Sequence, residues 1–237
     1  ITLTQSGSLT LGGGGGIDLG GTVDFIDLSI TSTASTVTLD SPAAGGSFTL
    51  NSLTVDTTGV DGTNRGIILT GDFSTDNGDI SFTANNGNID ISDKALTSSG
   101  NITLLAPNGT VTGTGTIDFL GVINHNFTLV QQGNLTLGGT GLTFSNSDII
   151  NVDVQANAGG GNGDVTISTA FTWNSLVVRG DNIAIAANQN QTVDSGVLTL
   201  TADIGDITAT SVDFVAQSNS LVLTANSDDA SISAGDL

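Results

Sequence analysis

Residues 78–91 read GDISFTANNGNIDI, and residues 100–113 read GNITLLAPNGTVTG. Laid one over the other, they put Ile80 on Ile102 and Ile89 on Val111, both 22 residues apart. Each copy is the same phrase, a group of turn residues followed by an apolar–polar–apolar triplet. The phrase recurs along the chain at Leu135/Leu137, Ile183/Ile185 and Leu221/Leu223, and NGDVTISTA at 162–170 repeats NGDISFTA at 77–84. Side chains alternate across a strand with period two, so both apolar members of a triplet share a buried face and the Thr or Ser between them faces out. Triplets return every 7–13 residues, which gives a coil of about 22 residues two or three short strands.

A longer repeat lies above this one. FTLNSLTVD at 48–56 returns as FTWNSLVVR at 171–179, and LTQSGSLTLGG at 3–13 returns as LVQQGNLTLGG at 129–139. DFIDLSI at 24–30 returns as DIINVDV at 148–154, and ISFTANNGNI at 80–89 as LTLTADIGDI at 198–207. The four matches keep chain order, with offsets between 118 and 126. The chain therefore reads as two tandem copies of one unit, 1–126 and an incomplete 127–237, forming one continuous array.

Two all-β architectures fit a repeat of this size. Tandem β-sandwiches run near this length, but they use longer strands and a buried Trp or a Tyr corner. Here Trp173 has Leu50 as its counterpart and Tyr is absent. Asn86-Gly87 and Asn108-Gly109 are good hairpin turns and favour the sandwich. They suit a solenoid corner equally, because both residues tolerate left-handed backbone. The inner 22-residue repeat decides for a parallel β-helix, with tandem sandwiches as the alternative.

Composition agrees with an all-β chain of short strands. Of 237 residues, 37% are hydrophobic but only 4% aromatic, with 33 Gly and 2 Pro. Bulk must come from Ile, Leu, Val and nine Phe. Thr, Val and Ile favour strands, while Gly, Asn and Asp favour turns. All 23 acids are Asp, set against Lys94, Arg65 and Arg179, for a net charge of −20. That balance excludes nucleic-acid binding by phosphate neutralisation and disfavours anionic membrane surfaces. Cys is absent, so no disulfides staple the fold, and no run of about 18 apolar residues could span a membrane.

Little in the sequence carries chemistry. Asp72, Asp76, Asn77 and Asp79 form an oxygen-rich cluster of the kind calcium prefers, and Asp56, Asp61 and Asn64 form a second. GGGGGIDLG at 12–20 touches the Gly-rich calcium nonapeptide, but only once. Solvated turn acids are the competing reading of all three. His125, the only His, sits in the junction between copies and reads as a surface turn residue. Asp228-Asp229 is the only adjacent acid pair resembling those of β-helical polysaccharide hydrolases. Sequons at Asn101, Asn108, Asn126, Asn134 and Asn190 largely follow from the strand grammar itself. Phe171 and Trp173 are the best candidates for an exposed aromatic platform that could hold a sugar.

The GNITL, GDISF and GNLTLGG triplets resemble the repeats of filamentous-haemagglutinin-like bacterial exoproteins and giant β-solenoid adhesins. That resemblance, which runs over most of the chain, implies a right-handed parallel β-helix exported to the cell surface as an adhesin, fibre or stalk. The family's Asn-Pro-Asn-Gly secretion signature is missing, since neither Pro42 nor Pro107 sits in it. The expected function is a structural stalk or fibre segment of a secreted or cell-surface protein, and not catalysis. An adhesive module binding glycans or a neighbouring cell is the alternative, and a polysaccharide-active enzyme the third reading. Expected partners are further coils, either of the same chain or of copies stacked end to end, because neither ITLTQ at the start nor SAGDL at the end looks like a polar cap.

Overall fold

The structure is a computed structural model. It describes all residues except 6–8, 12–22, 34–35, 41–47, 58–65, 122–123, 146–149, 161, 217–219, 227–231 and 235–237. The chain forms two compact units, Ile1–Gly121 and Val122–Leu237.

In unit 1 the strands come coil by coil. The first coil gives β1 (Thr2–Gln5) and β2 (Leu9–Leu11), and the second gives β3 (Val23–Ser32) and β4 (Val37–Leu39). The third gives β5 (Phe48–Asp56) and β6 (Ile67–Leu69). Three strands mark the fourth: β7 (Phe73–Thr75), β8 (Ile80–Thr83) and β9 (Ile89–Asp90). The fifth repeats that pattern in β10 (Ala95–Ser98), β11 (Ile102–Ala106) and β12 (Val111–Thr112), and β13 (Thr116–Phe119) follows. One wall is β1-β3-β5-β8-β11, a second is β2-β4-β6-β9-β12, and the first half of β5 opens a third, β5-β7-β10-β13.

Unit 2 follows the same plan. It runs through β14 (His125–Gln131), β15 (Leu135–Leu137) and β16 (Thr143–Ser145), then β17 (Ile150–Gln155) and β18 (Val165–Ile167). The next coil holds β19 (Phe171–Trp173), β20 (Ser175–Gly180) and β21 (Ile183–Ile185). After it come β22 (Gln191–Val193), β23 (Leu198–Ala202) and β24 (Ile207–Ala209), then β25 (Phe214–Ala216), β26 (Leu221–Ala225) and β27 (Ile232–Ala234). Its walls are β14-β17-β20-β23-β26, β15-β18-β21-β24-β27 and β19-β22-β25.

Neighbouring strands in these walls are parallel, as a β-helix requires and an antiparallel sandwich does not allow. The fold is thus a parallel β-solenoid. Asn86-Gly87 and Asn108-Gly109 do turn the chain, with Gly109 N–H donating to the Ala106 carbonyl at 2.9 Å. They join β8 to β9 and β11 to β12, strands of different walls, so they are corners and not hairpins.

Register follows the hydrophobic phrase. Ile80 pairs with Ile102 and Ile89 with Val111, the two pairs expected from the 22-residue repeat. Like residues therefore stack along each wall, and Ile80, Phe82, Ile89, Ile91, Ile102 and Leu104 are fully buried. Val165, Ile167, Leu198 and Leu200 are buried likewise in unit 2. Each such side chain contributes about 1.5–3 kcal/mol by leaving water. Ser81, Thr103, Thr166 and Thr199 lie on the outer face, half-covered by their equivalents one coil away. Leu221 and Leu223 depart from the pattern and are only half-buried. They belong to β26, and among the described residues no strand stacks on its far side.

The long repeat also holds in the pairing. Leu53 of β5 pairs with Ile80, as Leu176 of β20 pairs with Leu198. NGDISF and NGDVTI, by contrast, are alike in sequence but lie on different walls, since Ile80 belongs to the first and Val165 to the second. A turn–triplet phrase specifies a strand and its inward face, but not which wall it joins. Coil length also varies, from 18 residues between Asp164 and Asn182 to 30 between Asn134 and Asp164. The corners absorb the difference, because the strands must keep their register.

Candidate functional site

The corner residues carry most of the polar chemistry, and they use it to join coils. Before four of the five second-wall strands of unit 2, β15, β18, β21 and β24, stands an Asn or Asp: Asn134, Asp164, Asn182 and Asp206. The Asp164 N–H donates to Asn134 Oδ1 at 3.0 Å, the Asn182 N–H to Asp164 Oδ1 at 3.2 Å, and the Asp206 N–H to Asn182 Oδ1 at 3.0 Å. Unit 1 does the same where Thr110 N–H donates to Asn88 Oδ1 at 2.9 Å. A strand that leaves its wall has an amide with no ladder partner, and an Asx side chain on the coil below supplies one.

Two members of the expected calcium cluster, Asp72 and Asp79, take part in this pattern. Asp72 Oδ1 accepts from the Ala95 N–H at 2.8 Å. Asp79 Oδ1 accepts from the Asn101 N–H at 2.7 Å and from Asn101 Nδ2 at 3.2 Å. Asp76 and Asn77 are exposed. Among the described residues no group of three acidic or histidine side chains gathers as an ion would require. Asp61, Asn64, the 12–20 segment and Asp228-Asp229 lie outside the described residues.

The aromatic candidates need a correction. Trp173 is 0% exposed, and Phe171 is half-covered. Trp173 packs in a cluster with Phe144 at 5.2 Å and Phe171 at 4.5 Å between ring centroids, and Phe144 meets Phe127 at 5.1 Å. Its Nε1–H donates to Gln191 Oε1 at 3.1 Å, while Gln191 Nε2 donates to the Thr169 and Gln189 carbonyls at 3.0 and 2.9 Å. Trp173 stands in register where unit 1 has the buried Leu50, so a core position has been enlarged and its polar edge satisfied from inside. It offers no stacking surface to a sugar. His125 is also corrected: it opens β14 and is 2% exposed, because the strand begins two residues before Phe127 and alternation turns it inward.

One surface feature is more than a coil joint. In unit 2 an open hollow of about 480 Å³ is lined by Gln155, Asn157, Asn162, Arg179, Asp181 and Asp203, with Gly159, Gly160 and Ile204. It forms where the first wall ends on three successive coils, after β17, β20 and β23. Asn157 Nδ2 lies between two carboxylates, donating to Asp181 Oδ1 at 3.0 Å and to Asp203 Oδ2 at 2.7 Å. Asp181, 6% exposed, also accepts from the Gly163 N–H at 3.2 Å. Arg179 Nε donates to Asp203 Oδ2 at 2.6 Å. Partial burial pushes the Asp203 carboxyl up, but hydrogen bonds from Arg179 and Asn157 and the guanidinium charge outweigh it and hold its pKa below the ordinary value. Arg179 is correspondingly raised, by the hydrogen bond to Asp203 and its charge. Sequence reading did not find this hollow, since side chains that hydrogen-bond in it are up to 46 residues apart. The one signal was Arg179 itself, standing where the first copy has Asp56.

No family model, no curated protein and no solved structure matches this chain. What defines it is its own architecture: two five-rung parallel solenoid units whose polar side chains serve the stacking of coils.

Proposed function

We propose that this chain is a structural segment of an exported bacterial repeat protein, a stalk or fibre piece that builds or supports a cell-surface or extracellular assembly. The observation that carries the reading is the use of polar side chains. Rung after rung, Asn and Asp join one coil to the next, and buried hydroxyls do likewise: Thr75 Oγ1 donates to Ser98 Oγ at 2.9 Å. A molecule that spends its polar groups this way is organised for repetition along an axis. Net charge of −20 keeps such a surface soluble and self-repelling. The resemblance to haemagglutinin-like repeats supports the same location outside the cell.

A catalytic reading gains no support from Asp203, which is held as a carboxylate, the direction opposite to what a general acid needs. Negative-stain microscopy of the native parent assembly tests the structural reading. Rods or filaments are expected, and compact isolated particles would overturn it.

A further inference from the structure

The hollow in unit 2 is a departure from the repeat, and the two units can be compared residue by residue to see what built it. Pairing makes Thr31 the neighbour of Asp56 in unit 1 and Gln155 the neighbour of Arg179 in unit 2. Arg179 and Asp56 are therefore the same position, with the charge reversed. On the neighbouring strand, which carries Thr31 in unit 1 and Gln155 in unit 2, the connection to the second wall has grown. Six residues separate Ile30 from Val37, whereas ten separate the equivalent Val154 from Val165, and the longer stretch reads QANAGGGNGD. Gly159 and Gly160 take left-handed backbone, with φ of 66° and 77°, and a side chain on Gly160 would meet nothing within 4 Å. The insertion thus makes one wall of an open space, and the charge reversal puts a cation into it.

We propose that this hollow is a binding site for an uncharged saccharide. Its lining holds both donors and acceptors, as a sugar's hydroxyls require: amides from Gln155 and Asn162, a guanidinium from Arg179, and carboxylates from Asp181 and Asp203, with Asn157 held among Gln155 and the two carboxylates. Arg179 is 54% exposed at its side chain, and among the described residues only its Nε is hydrogen-bonded. Its Nη groups remain as fixed donors, because the Asp203 contact sets the guanidinium plane. Ile204, 57% exposed beside these groups, supplies an apolar patch for the C–H face of a sugar ring.

Charge selects among ligands. A metal ion is disfavoured, since the Asn157 amide hydrogens occupy the place between the carboxylates and Arg179 stands beside them. An acidic sugar is disfavoured too, because two carboxylates outnumber the one cation here and the whole chain is strongly negative. What fits is a neutral polyol or hexose unit. This site goes beyond the structural role, and the role stands or falls by microscopy whatever the site does.

The test is a glycan array of neutral, sialylated and uronate-bearing oligosaccharides, with the retained neutral glycan then titrated by calorimetry and calcium chloride titrated alone. Variants Arg179→Asp, which restores the charge of the first copy, and Asn162→Ala, at an exposed position, are run beside the parent. Binding of a neutral glycan that weakens about ten- to hundred-fold in both variants, with melting of Asn162→Ala unchanged, supports the site. Should Arg179→Asp misfold, the loss in Asn162→Ala alone decides. No neutral glycan bound at millimolar concentration, equal affinity in parent and variants, or tight calcium binding in place of glycan would each overturn it.

Discussion

Replacing Trp173 by Ala removes the largest side chain buried in the core. Large aromatic-to-alanine changes in a packed interior cost about 3–5 kcal/mol, from lost transfer energy and the cavity left behind. The contacts with Phe144 and Phe171 vanish together, and Gln191 Oε1 loses its donor, which adds about 1–3 kcal/mol if no water replaces it. A total loss of about 4–8 kcal/mol follows, a large share of the roughly 5–15 kcal/mol typical of a folded domain. Trp173→Phe keeps a ring in the cluster and loses mainly the indole N–H, so it should cost about 1–3 kcal/mol. Urea unfolding followed by far-ultraviolet circular dichroism measures both, because the signal does not depend on the residue removed. Trp173 is also the only Trp in the chain, so its native fluorescence reports on this site alone. Acrylamide should quench it far less in the folded protein than in urea. A cost under about 1 kcal/mol for Trp173→Ala, or equal quenching in both states, would refute the buried cluster and return Trp173 to the surface.

Four further outcomes follow from the corners. Asp79→Ala should cost about 1 kcal/mol through its hydrogen bonds to Asn101, whereas Asp79→Asn should be near neutral because Oδ1 still accepts. Excess chelator should leave both melting curves in place, and a fall in Tm on chelation would restore a calcium role by linkage. A Cβ on Gly109 would sit 2.1 Å from the Gly87 carbonyl oxygen one coil away, so Gly109→Ala should lower stability by about 1–3 kcal/mol in thermal unfolding. Asp203 has a lowered folded pKa, so its contribution is present above the unfolded value near pH 4 and is lost as pH falls through the folded one. Asp203→Asn should therefore flatten the acid side of the stability profile, and an unchanged slope would deny the Arg179 pairing its role.

The wall-building strands were legible because one face of each is buried, and a period-two pattern leaves only one register that buries it. Ile80 over Ile102 is the plainest case. Ser and Thr were harder to place. Those inside the triplets face out as expected at Ser81 and Thr103, whereas Thr75 and Ser98, outside any triplet, point inward and satisfy each other and the Gly78 carbonyl. Nothing local distinguishes the two cases, since the partner hydroxyl lies a full coil away. The acidic cluster shows the same limit. Asp72 and Asp79 are close in sequence, but each accepts from a backbone amide of the next rung, a contact that no local pattern announces. Trp173 was read as a surface aromatic from its scarcity, although its alignment with Leu50 already placed it on an inward position. The hollow depends on residues from three coils, a proximity that exists only once the register is known.

The register itself is the central claim, and the absence of Cys makes it directly testable. Ser81 and Thr103 face each other on adjacent parallel strands, β8 and β11, both on the outer surface. Neighbouring strands lie about 4.8 Å apart, within the range a disulfide can bridge. Two residues further along, Leu105 shares that outer face but lies about 8 Å from Ser81, which is too far. Under mild oxidation, Ser81→Cys/Thr103→Cys should cross-link in the folded protein and raise its stability by about 3 kcal/mol. Ser81→Cys/Leu105→Cys should remain as free thiols. Linkage of the second pair in preference to the first, or of neither, would contradict the parallel coil register on which the rest is built.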